Sequence, residues 1–141
     1  MPRRLILVGL GLLVITATVV VLTRSADPDS SSDDEAALET RIVAAGEVDV
    51  KIEPRQLDDR GAVFAITLDT HSGDLSADLT SATLDVSGLS WPGAAWSGDE
   101  PGGHHREGEL RFESGGVATG TARLALPGFP RPVEVTWELG G

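Results

Sequence analysis

Residues 47–53 read Glu-Val-Asp-Val-Lys-Ile-Glu, so that a charged residue and an apolar residue alternate along the whole stretch. Successive side chains of an extended strand point to opposite faces, and this period of two therefore predicts a strand with one face in a core and one in water. The same period recurs along the chain up to Trp137, with turn-forming residues between the repeats. Residues 41–141 are therefore predicted to form an all-β domain, an immunoglobulin-like antiparallel β-sandwich of about seven strands.

The stretch from Leu89 to Trp96 is predicted as one of these strands, and Pro92-Gly93 within it as the place where a bulge would expose one tryptophan. Residues 77–83 allow one strand, two strands, or a crossover between sheets. The predicted core consists of the apolar residues on the inner face of each repeat: Val50, Ile52, Phe64, Ile66, Leu68, Leu84, Trp91, Trp96, Leu110, Phe112, Leu124, Leu126, Val135 and Trp137.

The N-terminal 24 residues have a different character, because residues 5–23 contain no charged side chain and are rich in Leu, Val and Ile. As a helix this stretch would be roughly 28 Å long, close to the thickness of a bilayer core. Arg3 and Arg4 precede it, as expected for a cytoplasmic flank. The pattern predicts a signal anchor or transmembrane helix over residues 1–24, with a cleaved secretory signal as the alternative. Either places the remainder of the chain outside the cytoplasm.

Residues 25–40 read SADPDSSSDDEAALET and contain six acidic residues and no basic one. Such a composition buries too little apolar surface to offset the entropy of ordering, and we expect an extended, solvated linker between the anchor and the domain. Ser32 and Glu35 have the spacing of a capping box, which would start a short helix ending near Ala45. The alternative is that Ile42 and Val43 already belong to the first strand.

Charge and composition exclude several classes of function. The 141 residues carry 22 Asp and Glu against 11 Lys and Arg, a net charge of −11, which argues against nucleic acid as a partner. The absence of Cys excludes disulfides, thiolate metal sites and a thiol nucleophile. No G-x-S-x-G element is present, and paired carboxylates are expected background in so acidic a chain, so we do not predict an enzyme.

Three histidines are the chain's most distinctive polar residues. His71 follows the predicted Phe64 strand, and His104 and His105 precede the predicted Leu110 strand. Counting strand directions along the chain brings all three imidazoles to the same end of the sandwich.

The stretches around these histidines also resemble a known family. Residues 69–72 (Asp-Thr-His-Ser) and 102–112 (Gly-Gly-His-His-Arg-Glu-Gly-Glu-Leu-Arg-Phe) are similar to the [N/D]-T-H-S loop and the G-G-H-H-R-x-G-x-L-x-F element of a family of small prokaryotic secreted or membrane-anchored β-domains. The resemblance covers about residues 46–140. It implies an extracytoplasmic setting and brings no established activity.

Two hypotheses for the histidines remain open. Imidazole ligands suit Zn²⁺ or Cu²⁺, and His71 with His104 and His105 would form a metal site in the cell envelope, with Asp69, Asp74 or Glu107 as a further or supporting ligand. Neighbouring residues of an extended segment point to opposite faces, which argues against both His104 and His105 on one ion. Alternatively the loops are structural, with Arg106 pairing with Asp69, Asp74 or Asp99. The sequence favours a non-catalytic binding module with a partner in the envelope, and Zn or Cu binding is the alternative.

Overall fold

The computed structural model describes residues 38–140, which form nine strands and one short 3-10 helix, Leu79–Ser81. The strands are β1 (Arg41–Ala45), β2 (Val48–Asp58), β3 (Gly61–Thr70), β4 (Thr83–Val86), β5 (Leu89–Trp91), β6 (Ala95–Gly98), β7 (His105–Glu113), β8 (Gly120–Leu126) and β9 (Val133–Leu139). The all-β prediction is confirmed for these residues.

The strands form two antiparallel sheets. One has the order β1-β2-β3-β7-β6 and the other the order β5-β4-β8-β9. Alternation accounts for the register, because the buried residues of neighbouring strands stand opposite each other, as Ile52 does with Ile66 and Leu124 with Val135. The apolar faces of the two sheets pack against each other, as in a β-sandwich.

The core between the sheets contains the residues that the sequence predicted, with one exception. Phe64 stacks on Trp137 at a centroid distance of 5.4 Å and meets Phe112 edge-on at 6.2 Å, and thereby joins the two sheets. Trp91 is buried, and its indole N–H has no hydrogen-bond partner among the described residues. Trp96 is only half-buried, so the prediction that it belongs to the core was wrong in that respect.

Two expectations about individual segments need correction, and one open question is resolved. The domain has nine strands instead of seven, partly because the stretch from Leu89 to Trp96 is divided: β5 pairs with β4 in one sheet, and β6 pairs with β7 in the other. Gly93, with a φ of +82°, lies in the break between them. The open question over residues 77–83 resolves as a crossover between the sheets that contains the 3-10 helix.

The helix predicted to end near Ala45 is the second correction, because residues 41–45 form β1. Pairing of β1 with β2 extends the sheet and buries Ala45, and this tertiary contact overrides the local capping signal. The alternative, in which Ile42 and Val43 belong to the first strand, is confirmed. The candidate capping residues Ser32 and Glu35 lie outside the described residues.

Strand directions assign the connections to two ends, except residues 92–94, which join β5 to β6 between the ends. We call the end that carries residues 46–47, 71–82, 99–104 and 127–132 the loop end. The opposite end carries residues 59–60, 87–88 and 114–119 and the end of β9. β1 starts midway along β2, where Arg41 stands opposite Ile52, and runs toward the loop end. Glu39 lies on the side away from the loop end, because its carbonyl accepts from the Trp137 indole N–H near the end of β9.

Within residues 38–140, no helix has the length and apolar character needed to cross a membrane. The predicted anchor over residues 1–24, and most of the predicted linker over residues 25–40, lie outside the described residues.

Candidate functional site

Residues 69–72 and residues 102–106 lie side by side at the loop end, and residues 107–112 continue along β7. β3 and β7 are antiparallel neighbours, and Asp69 stands opposite His105 in their register. Hydrogen bonding continues past the strands, because the amide of Thr70 donates to the carbonyl of His104 at 2.9 Å. Further on, Leu75 donates to Gly103 at 3.2 Å, and the amide of Gly102 donates to the carbonyl of Leu75 at 2.9 Å. The two loops are thus held together along their backbones.

The Asp-Thr-His-Ser stretch is also fixed to the turn between β1 and β2. Thr70 is only 6% exposed. Its hydroxyl oxygen lies 2.9 Å from the Glu47 carbonyl oxygen and 2.6 Å from the Ser72 carbonyl oxygen. The Ser72 hydroxyl donates to the Glu47 carboxylate at 2.6 Å. Thr70 and Ser72 therefore have structural roles, and His71 between them is exposed.

Arg106 connects the two loops from the inside. The alternation of β7 directs its side chain inward, and the residue is only 2% exposed. Its Nη1 donates to the carbonyl of Ala77 at 2.7 Å, its Nε donates to the carbonyl of Asp99 at 3.1 Å, and its guanidinium carbon lies 5.0 Å from the Trp96 ring centroid. Burial lowers the pKa of the guanidinium from its ordinary value.

Arg106 thus joins the two loops, as the structural hypothesis expected, but of the three expected partners only Asp99 contacts it, and through the main-chain carbonyl. The guanidinium is bound by main-chain carbonyls, and none of the predicted carboxylates forms an ion pair with it within the described residues. The Asp99 carboxylate accepts instead from the amide of Glu107 at 3.0 Å and closes the loop between β6 and β7.

His105 lies on the outer face of the five-stranded sheet. Its Nδ1 is 2.6 Å from Asp69 Oδ1, and its Nε2 is 3.6 Å from Glu107 Oε2. The hydrogen bond to Asp69, with the negative charges of Asp69 and Glu107, raises the pKa of the imidazole above its ordinary value, and desolvation opposes this only in part. Asp49 stands opposite Asp69 on the other side, one strand farther from His105.

The three histidines lie at one end of the sandwich, as predicted, but only His105 has a side-chain partner among the described residues. His71 and His104 are exposed. Across residues 38–140, no group of three or more His, Asp or Glu side chains is arranged to hold a metal ion. Two of the predicted supporting ligands, Asp69 and Glu107, flank His105, whereas Asp74 lies on the neighbouring loop. Zn or Cu binding by His71, His104 and His105 stays a prediction.

A groove of about 370 Å³ lies at the loop end beside the histidine loops. The turn between β1 and β2, the loop after β3 and the loop between β8 and β9 form it. Its walls consist of Glu47, Val48, Ser72, Gly73, Asp74, Leu75, Ser76, Ala77, Gly128, Phe129 and Pro130.

Sequence reasoning did not find this groove. Residues 127–130 were identified only as a turn, although a Phe between two prolines in a loop was the available signal. Close packing joins that loop to the turn between β1 and β2, because a Cβ atom on Gly46 would lie 2.9 Å from Pro130 Cβ. Residues far apart in the sequence thus form one concave surface.

Comparisons with known proteins return no match: no family model fits the chain, and no curated protein or solved structure is detectably similar to it. The resemblance of residues 46–140 to the β-domain family therefore rests on the motifs alone.

Proposed function

We propose that this chain is a membrane-anchored extracytoplasmic protein whose β-domain is a non-catalytic binding module, with the loop end as its binding surface. Residues 1–24 would supply the anchor, or in the alternative a cleaved signal, and residues 25–40 the linker. The partner would be another protein of the cell envelope.

The immunoglobulin-like class is part of this proposal, and the order of the strands supports it. Without the edge strand β1, the first sheet has the order β2-β3-β7-β6, and without β5 the second has the order β4-β8-β9. Lettered A to G along the seven remaining strands, these orders match the ABED and CFG orders of an immunoglobulin constant-type domain, which supports the proposal. In such domains, loops clustered at one end of the sandwich commonly serve for recognition.

The observation that carries the proposal is the position of the loop end. β1 starts midway along the sandwich and runs toward the loop end, so a linker that continues back along this direction would leave the loop end free to meet a partner. The loops there are fixed by the ladder beyond Thr70 and by the buried Arg106, which lowers the entropy lost when a partner binds. Exposed polar residues on this rigid frame, such as His71 and His104, supply contacts.

Photo-crosslinking tests this proposal. We would place a benzophenone amino acid at position 104, at the loop end, and in a matched variant at position 121, at the opposite end, each in the full chain expressed in its own membrane. The proposal expects a defined adduct from position 104 and none from position 121. Equal labelling from both positions, or no adduct from either, would refute it.

The alternative function is Zn or Cu binding in the cell envelope by His71 with His104 or His105. Its support is the common location of the three residues at the loop end and the orientation of the His105 ring by Asp69, since a carboxylate that fixes the other ring nitrogen is typical of histidine ligands. Calorimetric titration of the untagged chain tests it. Saturable one-to-one binding that disappears when all three histidines are replaced by alanine would establish the metal function.

A further inference from the structure

The groove at the loop end has an uneven chemistry that indicates what it binds. Two carboxylates, Glu47 and Asp74, lie on its rim, and no Lys, Arg or His belongs to its described lining. The remaining lining is apolar or small, with Val48, Leu75 and Phe129 among the apolar residues. Negative charge above an apolar floor is complementary to a side chain that combines a cationic head with an aliphatic stem.

We propose that this groove binds an arginine or lysine side chain, together with an adjoining apolar residue, from a polypeptide segment of the partner. The inference rests on the proposed function, because it names the chemistry that the loop end would recognise. A volume of about 370 Å³ is at the small end of ligand sites, which suits one or two side chains better than a folded surface.

The position of Glu47 is set before any ligand arrives. The Ser72 hydroxyl donates to its carboxylate at 2.6 Å, and the Thr70 hydroxyl lies 2.9 Å from its carbonyl oxygen. One carboxylate oxygen of Glu47 is held by Ser72, and the other is available to a guanidinium or ammonium donor. A preorganised carboxylate binds a cation without the entropic cost of ordering a free side chain.

The charge of the surroundings favours a cation over other ligands. Asp78, Asp99 and Glu100 also belong to the loop end and outnumber the one exposed guanidinium among its described residues, that of Arg131 next to the groove, whereas the guanidinium of Arg106 points into the interior and is used by main-chain carbonyls. The field at the groove is therefore negative, which repels anionic ligands and speeds the approach of basic segments at low ionic strength.

The first test is a peptide titration followed by nuclear magnetic resonance of the full chain in detergent micelles at low salt. The probe is acetyl-Gly-Leu-Arg-Leu-Gly-amide, and the matched peptide carries citrulline in place of arginine, which keeps the shape and removes the charge. We expect saturable shifts of the Gly73 and Gly128 amides with the arginine peptide, and at least tenfold weaker binding of the citrulline peptide. Equal affinity for the two peptides, or no saturable shift at these amides, would overturn the proposal.

The second test uses matched variants of the chain. The double variant Glu47→Gln and Asp74→Asn keeps side-chain oxygens as acceptors and removes two charges, and it should weaken binding of the arginine peptide at least tenfold. The control Glu113→Gln and Glu138→Gln removes two charges from exposed residues at the opposite end and should stay within twofold of the wild type. Equal losses in the two variants would show that only net charge matters and would overturn the groove as the site.

The crosslinking experiment separates this inference from the proposed function. If the adduct from position 104 forms in the wild type and persists unchanged in the Glu47→Gln and Asp74→Asn variant, the loop end binds a partner but the cationic segment is refuted. If no adduct forms at all, the proposed function itself is refuted. An adduct that is lost in this variant and retained in the control variant supports both.

Discussion

Replacement of Arg106 by alanine should destabilise the domain more than any other substitution of a charged residue among those the structure describes. The side chain is buried, and its two close hydrogen bonds hold the carbonyls of Ala77 and Asp99, which belong to different loops. In the Arg106→Ala variant these carbonyls lose a charged donor, and the half-buried Trp96 loses the cation above its ring. The loop end should therefore loosen as a unit.

The expected magnitude follows from these contacts. A hydrogen bond to a charged group contributes about 1.5–3 kcal/mol, and a cation over an aromatic ring contributes about 0.5–2 kcal/mol. The contact of Arg106 Nη1 with the carbonyl of Leu75 is 3.5 Å long and adds little. These contributions belong to one network and do not add in full, so we expect a loss of about 3–5 kcal/mol, a large part of the ~5–15 kcal/mol that stabilises a typical domain.

The measurement is urea unfolding of the full chain followed by tryptophan fluorescence. Arg106→Lys keeps the charge, but one ammonium group replaces the fork that reaches both carbonyls, so we expect an intermediate loss of about 1.5–3 kcal/mol. Arg111→Ala is the matched control, because Arg111 lies on the same strand, faces solvent and pairs only with Glu109 in the described structure. It should cost less than about 1 kcal/mol. A loss below about 1 kcal/mol for Arg106→Ala would refute the assigned role.

Two further predictions concern pH and strand packing. Because Asp69 raises the pKa of His105 above 6.5, the pair should stabilise the fold fully below pH 6.5. This contribution should be lost as the pH rises through the pKa that His105 has in the folded protein. The melting temperatures of the wild type and the Asp69→Asn variant should therefore differ at pH 5 and converge at pH 9. A gap that widens with pH would contradict this sign. In β7, Gly108→Ala would place a Cβ atom 2.6 Å from the Ser97 carbonyl oxygen. The clash should separate β6 from β7 and lower the free energy of unfolding in urea by about 1–3 kcal/mol. The control Gly140→Ala, whose Cβ atom would meet nothing within 4 Å, should leave stability unchanged.

The sequence predicted the strands well where one face is buried and the other is wet. β2 and β9 alternate strictly over most of their length, and their burial follows the same alternation. Prediction failed where a short segment changes sheets. β5 and β6 have only three and four residues, too few for a period to be read, and the choice between sheets is made by partners distant in sequence.

At the candidate site the sequence located the right end of the molecule but assigned the wrong contacts. The joint position of the histidines follows from strand direction, which can be counted along the chain. The partners of Arg106 do not follow from strand direction. A guanidinium in an acidic chain was expected to pair with carboxylates, whereas the crossover after β3 presents the carbonyls of Leu75 and Ala77 to the guanidinium. The groove depends on contacts between loops that are distant in sequence, from 25 residues between Glu47 and Ser72 to 84 residues between Gly46 and Pro130, which no local pattern encodes.

The structural roles of the motif residues bear on where function should be sought. Thr70 and Ser72 hold the turn between β1 and β2, Arg106 holds the two loops, and Gly108 allows β6 to approach β7. The presence of these four motif residues is thus explained by their structural roles, and it is no evidence for a catalytic or binding role. The exposed residues that the fold does not use, His71 between two structural residues and Asp74 on the groove rim, are therefore the better indicators of binding. Substituting them should change affinity for a partner and leave stability intact, which is the reverse of what we expect for Arg106.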